Sequence, residues 1–273
     1  MNKTCTPVRS VSTFGVLTNM LATWVFLTLG VTVALADIHG HGHHHGGDHN
    51  HNHGAHNNNN AAAAKQAITE RPGRFLSLPV PEKCSQRPKE FSFKGHNYFF
   101  SGHLPEHKDK KLDWLDSRNL CREYCMDLPS LETQEENNLI FRLIQQNDIP
   151  YIWTSGRLCD FKGCEGRADL EPKNLNGWFW SGTQAKMYPT NRTPNGWGYN
   201  AWSQTGHKKV PQPDNAEFDI NGTNESCVAI LNNVYGDGIA WHDVACYHEK
   251  PVVCEDSEEL LNYIAQTNPG IRL

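Results

Sequence analysis

The stretch from Val210 to Cys254 constrains this chain more than any other part. It carries Gln212-Pro213-Asp214-Asn215, then Glu225-Ser226-Cys227, then Trp241-His242-Asp243, Cys246 and Cys254. Gln212, Asp214, Glu225 and Asp243 all offer side-chain oxygen, three as carboxylate and one as an amide carbonyl. Hard cations such as Ca2+ take about six to eight oxygen ligands at roughly 2.3–2.6 Å. Pro213 restricts the backbone between two of these groups, in either the cis or the trans isomer. Cys227 closely follows Glu225, and Cys246 closely follows Asp243. A disulfide between them would draw the two halves of the site together.

In these residues the chain resembles the C-type lectin family. That family's pattern is Gln-Pro-Asp or Glu-Pro-Asn, Glu-x-Cys, Trp-Asn-Asp, and two further cysteines. Here it reads Gln212-Pro213-Asp214, Glu225-Ser226-Cys227, Trp241-His242-Asp243, Cys246 and Cys254. The resemblance implies an α+β C-type lectin-like fold with two helices, two small antiparallel sheets and a long loop, stapled by disulfides. It further implies a Ca2+ on Gln212, Asp214, Glu225 and Asp243, completed by vicinal sugar hydroxyls, with the same groups and His242 around the sugar. Gln-Pro-Asp goes with galactose-type sugars. His242 departs from the pattern, standing where the family has Asn. Imidazole nitrogen suits Zn, Cu or Ni and is a poor Ca2+ ligand. Two readings follow: a four-ligand Ca2+ site, or a lectin fold that has lost its metal.

Residues 1–36 read as a signal peptide. Lys3 and Arg9 precede an apolar run that closes with Ala34-Leu35-Ala36 before Asp37, a small-residue cleavage pattern. A signal anchor is the alternative, because an apolar run of about 20 residues can span a bilayer. Cleavage predicts a secreted, extracellular chain with no membrane span. Residues 37–83 read as a disordered arm and linker. Nine His fall between His39 and His56, among Gly and Asn, and cannot bury a core. Such a tract is either a spacer or a ligand for Zn2+ or Cu2+ through neutral imidazole.

Cleavage removes Cys5 from the nine cysteines and leaves an even set, the signature of disulfides in a secreted chain. Eight cysteines allow roughly a hundred pairings. The lectin resemblance implies Cys121–Cys254 and Cys227–Cys246. Cys159 and Cys164 are close enough for a local bridge, and Cys84 with Cys125 remains. A zinc site on Cys159 and Cys164 lacks a second cysteine pair nearby.

The domain is expected to span 84–256. Phe91-Ser92-Phe93 and Asn97-Tyr98-Phe99-Phe100 flank a Gly turn and predict a hairpin. Leu112 to Cys125 has the spacing of an amphipathic helix. Thr133 with Glu136 predicts a capped helix start, and Leu139, Ile140, Leu143 and Ile144 form its apolar stripe. Tyr151 to Gly156 predicts a strand running into a turn, and Trp178-Phe179-Trp180 another strand. Residues 159–176 and 187–198 read as surface loops. The tail, 257–273, has helical spacing at Leu260, Leu261 and Ile264.

Asn191, Asn221 and Asn224 begin glycosylation sequons. Trp197, Tyr199 and Trp202 are candidates to stack on a sugar face. Lys and Arg total 25 against 30 acids, so no basic footprint argues for nucleic acid. The chain has no G-x-S-x-G, H-E-x-x-H or phosphate loop, so catalysis is not expected. The expected partner is a glycan or an extracellular-matrix polysaccharide or glycoprotein. A Ca2+-independent adhesive module of the same fold is the alternative. The overall layout resembles secreted arthropod C-type lectins.

Overall fold

A computed structural model describes residues 75–273. The signal peptide and the His-rich tract lie outside the described residues. The C-terminal end of the expected linker differs from a free arm. Its backbone runs along helix α2 (Trp114–Glu123): Ser77 N donates to Asn119 Oδ1 at 2.8 Å, Val80 N donates to Glu123 O at 3.1 Å, and Arg122 Nε donates to Ser77 O. These partners satisfy backbone groups that a free linker would give to water.

From the N-terminal side follow a short helix α1 (Pro81–Ser85) and the hairpin β1 (Phe91–Phe93) and β2 (His96–Phe100). Lys94 and Gly95 turn between them, both at positive φ. Helix α2 starts at Asp113, whose side chain accepts from Asp116 N at 2.8 Å. After β3 (Met126–Asp127) comes α3 (Gln134–Gln146). Thr133 caps α3 by accepting from Glu136 N. The reciprocal half of a capping box is not made: the Glu136 carboxylate accepts from Glu132 N and Tyr98 Oη instead.

Strand β4 (Tyr151–Leu158) continues through Gly156 rather than turning there. The reason is close packing. A Cβ on Gly156 would lie 2.6 Å from Val228 Cβ, so this glycine permits a tight approach of two strands. Then follow α4 (Lys173–Asn176), β5 (Trp178–Trp180), a long loop, α5 (Phe218–Asn221), β6 (Cys227–Asn232), β7 (Ile239–Val244) and β8 (Val253–Asp256). Helix α6 (Glu258–Thr267) closes the chain, so three helices of ten or more residues are present among the described residues.

The strands form two antiparallel four-stranded sheets, ordered β1-β2-β8-β3 and β5-β4-β6-β7. In β6 both faces are covered, which is why Cys227–Leu231 is an unbroken apolar run. Val228 and Ile230 pack with Ile140 and Ile144 of α3, Ile152, Trp178, Trp202 and Trp241. Ala229 and Leu231 face Phe99, Leu120, Met126 and Trp153. Burying each large apolar side chain contributes about 1.5–3 kcal/mol.

The four disulfides are Cys84–Cys125, Cys121–Cys254, Cys159–Cys164 and Cys227–Cys246, with Cα atoms 5.0–5.5 Å apart. Cys84 and Cys125 form a satellite core with Leu260 and Ile264, so α6 is packed onto α1.

Candidate metal centre

Strand pairing brings the acidic residues together. Cys227 of β6 lies opposite Val244 of β7, and Val228 opposite Asp243. Glu225, just before β6, therefore lies beside the end of β7 that carries Asp243. The Cys227–Cys246 bridge holds the same two chain ends. Gln212 enters from the long loop, its N–H donating to Ser203 O at 2.9 Å, and the Gln212–Pro213 bond is cis. Asp243 then fastens the loop. Its Oδ1 accepts from Asp214 N at 3.1 Å and its Oδ2 from Asn215 N at 2.8 Å. Asn215, at φ 48°, accepts from Glu225 N through its side-chain oxygen at 2.8 Å.

The result is a cluster in which Asp214, Glu225 and Asp243 each present an oxygen, all within 4.8 Å of one another. Burial pushes the Asp243 carboxyl up to about 8, with Glu225 adding to the rise and the two backbone amides opposing it. Burial likewise pushes Glu225 up to about 7, with Asp214 adding to it. Three carboxylates this close repel one another unless a proton or a cation joins them.

The buried side-chain atoms without a hydrogen-bond partner, among the described residues, are Gln212 Nε2, Asp214 Oδ2, Glu225 Oε2, Asp237 Oδ1 and His242 Nε2. All five residues belong to this one neighbourhood. Orphaned polar atoms are costly, and two of these, Asp214 Oδ2 and Glu225 Oε2, are carboxylate oxygens of the acidic cluster, free to take a cation. The carboxylate-and-amide donor set fits Ca2+: Gln212, Asp214, Glu225 and Asp243 would hold it. Gln212, Asp214, Glu225, His242 and Asp243 all line one cavity of about 400 Å3.

His242 brings no oxygen. Its ring is 1 % exposed, and Nε2 lies 2.9 Å from Asp237 Oδ2 without the alignment of a hydrogen bond. Burial pushes the imidazole down, and Asp237 opposes that shift. Asp237 is absent from the sequence-based ligand set. It sits in the loop between β6 and β7, held by Ser203 Oγ, and no local motif marks it.

The stacking candidates do not reach the cluster. Trp202 is buried in the core, Trp197 packs against Trp241, and Tyr199 Oη is engaged with Asn137 and Asn138. Trp197 and Trp202 line a separate cavity of about 130 Å3. The tyrosines on the metal-site cavity are Tyr151 and Tyr235, and a second cavity of about 210 Å3 meets Asp214, Glu225 and Asp243 beside Trp178. Tyr235 tilts against His242 with ring centroids 5.5 Å apart.

The family model of the lectin C-type domain matches residues 110–256. The chain belongs to the C-type lectin domain family. The family is one of binding modules, not of enzymes. Three solved structures similar to this lectin domain are herring type II antifreeze protein, the murine dendritic cell inhibitory receptor 2 domain in complex with N-glycan, and SPL-1 in complex with GlcNAc. Identities are 22 %, 22 % and 19 %, with TM-scores of 0.37, 0.38 and 0.41. The matches cover 61 %, 63 % and 63 % of this chain and 94 %, 98 % and 95 % of those chains. Among the described residues, no helix is long and apolar enough to cross a membrane.

Proposed function

We propose that this chain binds galactose-type sugars through a Ca2+ held by Gln212, Asp214, Glu225 and Asp243. The observation that carries this reading is the cluster of Asp214, Glu225 and Asp243 oxygens within 4.8 Å of one another, with Asp214 Oδ2 and Glu225 Oε2 buried and without a hydrogen-bond partner. A bound Ca2+ supplies Lewis-acid coordination to two vicinal hydroxyls. The residues around it do the rest: carboxylate oxygens accept from those hydroxyls, and the Gln212 amide adds a neutral donor and acceptor. Gln212-Pro213-Asp214 is the galactose-type order of the family pattern. Four disulfides suit an oxidising compartment, in keeping with a secreted chain acting on extracellular or matrix glycans. Asn191, Asn221 and Asn224 are exposed, as glycan acceptors must be.

Calorimetric titration of Ca2+ into the disulfide-intact chain tests this. Micromolar to millimolar binding, lost in Glu225→Gln, together with galactose retention that EDTA reverses, supports it. Glycan retention that tolerates EDTA would instead establish the Ca2+-independent adhesive module.

A further inference from the structure

The cavity lined by the acidic cluster is lined also by an unneutralised ammonium. Lys250 lines it together with Tyr151, Glu217, Tyr235 and His248. Lys250 is 7 % exposed; its backbone pairs with Leu112, while its ammonium makes no hydrogen bond or ion pair to the described residues. Its Nζ rests on two rings, 4.6 Å from the Tyr151 centroid and 4.7 Å from that of Trp153. Lys111 Nζ is 6.0 Å from the same Tyr151 ring.

Glu217, the acid whose charge acts on Lys250, does not pair with it as a counter-ion. Glu217 already accepts from Tyr247 Oη, from Asn221 Nδ2 at 2.8 Å and approaches His248 Nε2 at 2.7 Å. Burial pushes the Lys250 ammonium down to about 8, which Glu217 only partly opposes. A buried charge normally pairs with an opposite one. Here the aromatic rings supply a partial substitute and leave the ammonium's N–H donors open to the cavity. The cavity, about 400 Å3, has the size of a small-ligand site.

We propose that Lys250 is an anion subsite, and that the preferred ligand is an acidic galactose-type sugar whose sulfate or carboxylate seats on Lys250 while its hydroxyls reach the carboxylate cluster. The sugar part of this proposal rests on the Ca2+ reading above; the anion subsite does not. The charge layout supports it. Asp214, Glu225 and Asp243 suit a cation and hydroxyls, while Lys250 on the same cavity suits an anion. A neutral sugar would leave the ammonium unpaired.

The test compares galactose, galactose 6-sulfate and galacturonate binding to the full, disulfide-intact chain in Ca2+. The expected result is a preference of about tenfold for one or both acidic sugars, the worth of a charge-assisted hydrogen bond. Which acid wins names the group. Lys250→Gln removes the preference and leaves galactose affinity within about twofold, while Lys250→Arg keeps the preference. Equal binding of acidic and neutral sugars, or a preference that survives Lys250→Gln, overturns the proposal. Should no sugar bind in Ca2+, the Ca2+–galactose reading fails by itself, and inorganic sulfate then tests the subsite. The Trp153 indole NMR resonance, assigned with Trp153→Phe, shifts with sulfate in the parent and not in Lys250→Gln. An unresponsive resonance in the parent overturns the subsite. Matching thermal melts of the Lys250 variants exclude misfolding as the cause of a loss.

Discussion

Asp243 uses both carboxylate oxygens to hold the backbone amides of Asp214 and Asn215, and faces Glu225 as well. In the metal-free chain, Asp243 and Glu225 keep their protons up to about 8 and about 7. The unfolded chain releases the same protons near 4. Between these limits the folded state binds more protons, so stability falls as pH rises from about 5 to 8. The Tm measured in EDTA should fall over that range, and Glu225→Gln should flatten the slope. Ca2+ displaces the protons, so its affinity should rise with pH over the same window when followed by calorimetry. His242 is the second decisive residue. His242→Asn restores an amide oxygen at the missing ligand position, and Ca2+ affinity should increase by about tenfold or more. An unchanged affinity would show that this position does not face the cation.

Helix α3 does more for the site than bury its apolar stripe. Asn137, fully buried on the helix, accepts from Trp241 Nε1 at 2.8 Å and donates to Tyr199 Oη at 2.8 Å. It thereby ties α3 to the strand that carries His242 and Asp243. Asn137→Ala orphans the Trp241 indole and should cost about 1–3 kcal/mol in urea denaturation. Because Trp241 adjoins His242 and Asp243 in sequence, Ca2+ affinity should weaken too. Thr133→Ala removes only the cap of the same helix. It should cost about 1 kcal/mol and leave Ca2+ affinity unchanged, which separates loss of helix stability from loss of site geometry.

Across the whole molecule, the disulfides divide into those that staple the scaffold and one that staples the site. Cys84–Cys125 holds α1 and the α6 cluster, while Cys227–Cys246 joins the strand ends beside Glu225 and Asp243. Replacing Cys84 and Cys125 together by Ala should cost about 2–4 kcal/mol in thermal denaturation and spare Ca2+ binding. Replacing Cys227 and Cys246 should abolish Ca2+ binding and lower stability, which calorimetry at a temperature where both variants stay folded would show. The spacing of apolar residues marked α2, α3 and the hairpin, because periodicity is local. The order of Gln212, Asp214, Glu225, Asp243 and the cysteines marked the acidic cluster, because a loop, two strand ends and a bridge leave their residues in a readable series. The strand through Gly156 was not readable, since only the approach of Val228 shows why a glycine stands there. Nor was the part of Asp237 beside His242, or of Lys250 on Tyr151 and Trp153, in shaping the cavity. The sequence alone determined the lectin family, the bridges and the acidic residues that gather as a cluster; tertiary packing decided which charges face one another, because burial and counter-charge depend on neighbours distant in the chain.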